Sequence, residues 1–227
     1  MKQQYFTKIE LYLWFGSIGL ILGSFILFDR ANVLTLIASL IGVTSLIFSA
    51  KGNPIGQLLM LFFSALYGII SYRFAYYGEM ITYLGMTAPM ALFALIAWLR
   101  HPFKGNKAEV EIRHINGLEL GIIAALSALV TLLFYFILKY FHTANLALST
   151  LSVTTSFIAV ALTYRRSPYY ALAYAANDVV LIVLWVLATV QDRSYLSVTV
   201  CFIIFLINDL YGYFNWKQMR KKQTEKD

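Results

Sequence analysis

Two Asn–Asp pairs lie where water is not expected. Asn177-Asp178 and Asn208-Asp209 each interrupt an apolar run within the stretch Ser167 to Trp216. An ionised carboxylate in hydrocarbon costs roughly 2.5–3.5 kcal/mol on insertion scales. Such groups therefore face a protein interior or a watery cavity, and they mark the path of a polar solute. Wound as helices, the two runs collect more chemistry on the same faces. Tyr170, Tyr174, Asn177/Asp178, Leu181 and Trp185 fall at helical spacing on the first; Asn208, Tyr211, Gly212 and Asn215 do so on the second. The chemistry this points to is recognition rather than bond-making. Amides and carboxyls suit hydroxyls or amides of a ligand. Tyr and Trp can stack on a flat heteroaromatic ring, worth roughly 1–3 kcal/mol per base in nucleic-acid systems, and a cationic ring would gain cation–π attraction. The alternative is that the pairs bond to one another, or to Ser64, and hold helices together. Such contacts average only about 0.6 kcal/mol, a weak reason for four adjacent polar groups.

An opposing wall is expected from two earlier runs. Gln57, Ser64, Tyr67, Gly68 and Ser71 share a broad stripe on one, and Tyr83, Thr87 and Pro89 interrupt the next. A few polar groups in a mostly apolar pocket fix ligand orientation, although Ser, Thr and Gly also serve ordinary helix packing. Pro89 is expected to break its span, acting as a hinge and freeing carbonyls for a cavity. Tyr169, Trp98 and Trp216 lie near span ends and read as membrane-interface residues.

Enzyme chemistry finds no foothold. His101, His114 and His142 fall in loops and share no helical face, so no metal motif forms, and no glycine-rich phosphate loop is present. Cys201, the single cysteine, permits no intrachain disulfide. No nucleophile–base pair is recognisable. The chain is therefore expected to be no enzyme and to need no cofactor.

The elements that must position these residues are membrane helices. Of the 227 residues 60% are hydrophobic and 13% charged, against about 25% charged in soluble domains, and mean hydropathy is +0.70. Spans of roughly 20 apolar residues are expected near 9–28, 32–50, 54–75, 80–99, 118–138, 144–163, 168–190 and 195–216. The alternating pattern of a membrane barrel is absent. A cleavable signal peptide is not expected, because the first run is of full span length without a small-residue cleavage site. Lys and Arg distribute 14 on the side of the termini and 4 on the other, which predicts a multi-pass protein of the cell membrane with both termini cytoplasmic. The net charge of +7 thus reflects topology and contact with anionic lipid, and no nucleic-acid partner is expected.

An internal repeat is visible. Lys51-Gly52-Asn53-Pro54 has its counterpart in Arg165-Arg166-Ser167-Pro168, and Trp98-Leu99-Arg100 in Trp216-Lys217. Three spans, one span, then three spans place the second triplet in the same orientation as the first. That is a parallel repeat, with the substrate expected between the triplets near the midplane. The expected organisation is an all-α integral membrane protein of about eight helices. It comprises an accessory helix over 1–30, a first bundle over 31–100, a loop and linking helix over 101–140, a second bundle over 141–217 and a basic tail over 218–227.

Several short motifs together carry a family resemblance. Tyr76-Tyr77-Gly78-Glu79-Met80 resembles the aromatic-Tyr-Gly-acidic-Met turn of the PnuC-type nicotinamide riboside transporters. Tyr211-Gly212-Tyr213-Phe214-Asn215-Trp216-Lys217 resembles the Tyr-Gly-x-x-x-Trp-Lys ending of their last span, and Asn177 falls where they carry an Asn or Asp. The likeness covers about residues 32–220. It implies a three-plus-one-plus-three core akin to the SWEET sugar transporters. It also implies facilitated diffusion of a nicotinamide riboside-like small molecule, made effectively one-way by phosphorylation in the cytoplasm. Thiamine, riboflavin and deoxynucleosides are the alternative cargoes, proton coupling through Asp178 or Asp209 the alternative energetics, and a homo-oligomer is compatible with the family. The chain departs from the family in two places. Tyr169-Tyr170 stands in place of a Trp-x-x-Trp cluster, and the first triplet ends Phe93-Ala94-Leu95-Ile96-Ala97-Trp98 without the Tyr-Gly signature.

Overall fold

The computed structural model describes residues 5–73 and 77–225. Eight helices long and apolar enough to cross a membrane occur among them. They are α1 (Lys8–Phe28), α2 (Val33–Ala50), α3 (Ile55–Arg73), α4 (Tyr77–Arg100), α5 (Gly117–Tyr140), α6 (Leu146–Tyr164), α7 (Tyr169–Gln191) and α8 (Leu196–Thr224). Their starts are written locally. Thr7 and Glu10 form a reciprocal capping box at α1, and Asn116 and Glu119 do the same at α5, satisfying backbone N–H groups that have no partner within the helix. Proline opens both α3 and α7, where its missing N–H costs nothing. Helix α4 is not uniform: Tyr83–Thr87 widens into a π-turn before Ala88–Arg100 resumes as α-helix. Pro89 supplies the cause, since its ring lacks an N–H and clashes with the carbonyl four residues back.

The repeat predicted from the two turn sequences is present in the backbone. In the first turn Gly52 N–H donates to Ser49 and Asn53 N–H to Phe48; in the second Arg166 N–H donates to Thr163 and Ser167 N–H to Leu162. Gly52 and Arg166 both take left-handed φ, +67° and +58°. Asn53 Oδ1 accepts from Ile55 N–H, as Ser167 Oγ does from Tyr169 N–H. Packing follows the same symmetry. Within each triplet the middle helix carries its neighbours (α2 and α4 on α3, α6 and α8 on α7), and the triplets meet through α2 on α8 and α4 on α6. Two indoles close these seams reciprocally: Trp98 Nε1 on α4 donates to Thr163 O on α6 at 2.9 Å, and Trp216 Nε1 on α8 donates to Ser49 O on α2 at 2.8 Å.

The structure corrects several expectations. Trp98 and Trp216 are fully buried, 0% exposed, not interface residues. Their rings pack tilted against each other and edge-on to Tyr170 at centroid distances of 5.3, 6.3 and 4.8 Å, because each indole N–H finds a carbonyl inside the protein. Tyr169 stays half exposed. The expected loop between α4 and α5 contains a hairpin, β1 (Pro102–Phe103) and β2 (Asn106–Val110), turned by Lys104 and Gly105 at positive φ, as a two-residue hairpin turn requires. The basic tail continues α8 as helix to Thr224, because Gln223 is held there. Its Oε1 accepts from Ile112 N–H, and its Nε2 donates to Val110 O and Glu109 Oε1.

Outside the repeat, α1 packs on α2 and α8, and α5 on α6. Leu118, Leu120, Ile122, Leu129, Leu132 and Phe136 of α5 are exposed; on a soluble protein so large an apolar surface would need a cover, and here it matches hydrocarbon.

Candidate functional site

The polar and aromatic faces converge on one cavity between the two triplets, about 920 Å³ of space free of atoms with its mouth included. Its lining runs from Thr143 and Ser149, beside the α5–α6 loop, to Tyr174 and Asp209, in the half of the molecule nearer the termini. Beyond Tyr174 the layer of Tyr170, Trp98 and Trp216 closes that end.

From α7 come Tyr174, Asn177, Asp178, Leu181, Leu184 and Trp185, so most of the expected α7 face lines the cavity. Asn177 is held in place. Its Oδ1 accepts from Thr155 Oγ1 at 2.8 Å and Ser152 Oγ at 3.3 Å on α6, so the amide presents its NH2 as donors. Asp178 is buried, and its Oδ2 has no hydrogen-bond partner among the described residues. From α4 come Glu79, Thr82, Tyr83 and Thr87, the last two where the π-turn widens the helix. Widened turns of this kind recur at functional sites.

The remaining expected residues are elsewhere. Tyr170 lies beneath the cavity in the Trp98–Trp216 layer. Gln57 Nε2 donates to Ser49 Oγ at 3.2 Å, between α2 and α3, and Ser64 Oγ donates to Met60 O at 2.9 Å within its own helix. Tyr67 packs between Phe63 and Tyr83 and faces a second cavity. The α8 stripe turns away altogether. Asn208 Nδ2 donates to Ser17 Oγ on α1, Tyr211 Oη to Glu10 Oε1 on α1, and Asn215 Nδ2 to Ala50 O on α2. These three residues dock α1 and α2, and the polar α8 group that does reach the cavity is Asp209, one residue round the helix. Tyr76, from the turn motif that includes Glu79, lies outside the described residues.

Three groups of lining residues were not singled out from sequence. Ser149, Ser152 and Ser156 line it from α6; their spacing of three and four puts them on one helical face, a signal that winding residues 146–164 as a helix would have exposed. Glu79 and Thr82 follow the Tyr-Gly turn. Phe63, Phe202 and Phe205 had no such signal, since a phenylalanine in an apolar run reads as core. Together they build an aromatic wall: Tyr83 to Phe63 at 6.2 Å, Phe63 to Phe205 at 5.9 Å, Phe205 to Phe202 at 5.7 Å, and Phe202 stacked on Trp185 at 12° and 6.5 Å.

The second cavity adjoins the first at Glu79 and Trp185, which line both, and reaches the α1–α2 and α7–α8 loops through Asp29, Asn32, Asp192 and Ser194. Burial raises the Asp29 carboxyl above its ordinary range, whereas hydrogen bonds from Ser194 hold Asp192 below it. Among the described residues, Glu79, Asp178 and Asp209 give the central cavity three carboxyl groups, and no Lys, Arg or His lines it. The arrangement suits a flat aromatic group with hydroxyl or amide substituents, and its charge balance opposes an anion.

Comparison with known proteins agrees with this architecture. Residues 32–218 match the profile of the family described as nicotinamide mononucleotide transporter. The chain is 27% identical over 205 residues to the nicotinamide riboside transporter PnuC of Neisseria mucosa, covering 87% of this chain and 76% of that protein. It superposes on the crystal structure of the vitamin B3 transporter PnuC with a TM-score of 0.82 at 24% identity, over 96% of this chain and 94% of that one; the likeness to that structure is one of fold.

Proposed function

We propose that this chain, which belongs to the nicotinamide mononucleotide transporter family, is a membrane importer that carries nicotinamide riboside by facilitated diffusion. The observation that carries the reading is the charge of the central cavity. Three carboxyl groups and no cation line it among the described residues, a poor receptacle for the phosphate of a mononucleotide, which bare guanidinium or ammonium groups would have to meet. The riboside lacks that phosphate, and its pyridinium ring is positive. Donors fixed at Asn177 suit a ribose hydroxyl or the carboxamide oxygen, and the wall from Tyr83 to Trp185 suits the ring.

The lysine and arginine distribution supports placement in the cell membrane with both termini cytoplasmic. In that orientation the cavity reaches toward the outside, and the Trp98–Trp216–Tyr170 layer closes the cytoplasmic end. Transport then consists of rocking the α2–α4 bundle against the α6–α8 bundle around the midplane, with α1 an accessory helix. Neutral cargoes such as riboflavin or deoxynucleosides gain no charge pairing from the carboxyl groups.

Purified protein in sealed liposomes should take up labelled nicotinamide riboside saturably and only down its gradient, without ATP. Absence of uptake, with thiamine or nicotinamide mononucleotide carried instead, would remove the assigned cargo.

A further inference from the structure

We infer that Asp178 is the specificity-determining residue for the positive charge of the transported ring. The inference rests on the proposed cargo but concerns one atom of the site. Asp178 is 4% exposed, lines the central cavity, and leaves Oδ2 without a hydrogen-bond partner among the described residues. Buried polar atoms are nearly always paired, and one that is orphaned at the wall of a cavity points to a partner that arrives from within it.

The groups facing Asp178 define that partner. Asp209 of α8, Tyr83 of α4 and Tyr174, one turn away on α7, line the same cavity as Asp178, and Cys201 is buried on α8. Glu79 stands farther along the same cavity. None of these brings a positive charge, and among the described residues no Lys, Arg or His lines the space. Asp178 and Asp209 set two carboxyl groups from two helices on the cavity wall, and Oδ2 of Asp178 is the free face of the pair. Asn177 differs in kind: its carbonyl is already satisfied by Ser152 and Thr155, so it offers neutral donors and cannot read charge. Tyr174, Asp178, Leu181 and Trp185 fall on one helical stripe, which sets the carboxyl between two aromatic faces, where the edge of a stacked cationic ring would lie.

The prediction separates charge from shape. Nicotinamide riboside and its 1,4-dihydro form share the ribose and the carboxamide, but only the first has a charged ring. In thermal-shift titrations of the purified full chain, the wild type should bind the charged form at least about tenfold more tightly than the reduced one. Asp178→Asn should shrink that preference to within about threefold, mainly by weakening the charged ligand, and Asp178→Glu should restore it. Equal binding of the two forms by the wild type overturns the inference without need of any variant. An undiminished preference in Asp178→Asn overturns it too, while uptake of nicotinamide riboside leaves the cargo assignment standing. If neither riboside binds, but thiamine does and loses at least about tenfold in Asp178→Asn, the cargo assignment falls and the charge-reading role of Asp178 survives.

Discussion

Adjacent residues in the two Asn–Asp pairs have different destinations. Asn177 and Asp178 both reach the cavity, whereas Asn208 turns to Ser17 of α1 and leaves Asp209 to face inward. About 100° of helical rotation per residue is enough to exchange a binding role for a docking role. Alanine substitutions should separate the two. Asn177→Ala should raise the KM for uptake about tenfold, the loss of one well-placed hydrogen bond with its orienting effect. Asn208→Ala should lower the Tm and leave KM within about twofold, because the bond to Ser17 is structural. At the α7–α8 turn, Asp192 caps Ser194 N–H at 2.9 Å and its carboxyl is held below the ordinary value of 3.8. A depressed carboxyl contributes stability above its unfolded pKa and loses it as pH falls through the folded one. Asp192→Ala should therefore lower Tm at neutral pH, and the difference from wild type should close as melting is repeated at pH values below 3.8.

At the scale of elements, polar residues inside spans do three jobs that composition cannot tell apart. Ser64, like Ser127 and Thr163, satisfies its hydroxyl on the carbonyl four residues earlier. Tyr211 and Lys51 hold Glu10, buried at the start of α1, and so dock the accessory helix. Tyr83 and Thr87 are offered to the cavity by the π-turn that precedes Pro89. The last case gives a test of local geometry. Pro89→Ala restores an N–H and removes the ring clash, so α4 can close into regular α-helix and rotate Tyr83 and Thr87 relative to the cavity. Uptake should fall severalfold while the yield of folded, monodisperse protein is kept; unchanged uptake would show that the π-turn has no part in presenting them. Close approach is demanded elsewhere, at Gly56, where a Cβ would stand 2.6 Å from Ser49 N and 2.9 Å from Ser45 O, so α2 and α3 can cross only over glycine.

For the whole molecule, closure of the terminal end is a property of the repeat. Trp98 and Trp216 make the same bond in opposite directions between the bundles, and the segment after the hairpin bridges both turns, with Val110 N–H on Gly52 O and Arg113 N–H on Arg166 O. Each indole bond is worth about 0.5–1.5 kcal/mol net, enough for two together to shift a two-state equilibrium by about fivefold to a hundredfold. The double variant Trp98→Phe/Trp216→Phe should therefore open that end more often. Val160→Cys, placed on the cavity wall, should then react faster with an impermeant thiol reagent applied from the side of the termini. An unchanged labelling rate would mean that the tryptophans pack the core and do not gate it.

The sequence by itself determined the eight spans, the parallel repeat and the α7 face. Each follows from short-range patterns: apolar run length, turn residues such as Gly52 and Pro168, and a helical period that leaves Asn177, Asp178 and Trp185 on one stripe. Only the tertiary structure decided what each face meets. Tyr170, Asn208, Tyr211 and Asn215 share the chemistry of a binding stripe, yet they meet Trp216, α1 and α2, while Phe63, Phe202 and Phe205 look like core and line the cavity. A side chain's neighbour across a helix interface depends on the rotation of two helices packed about 8–10 Å apart, which no local pattern encodes.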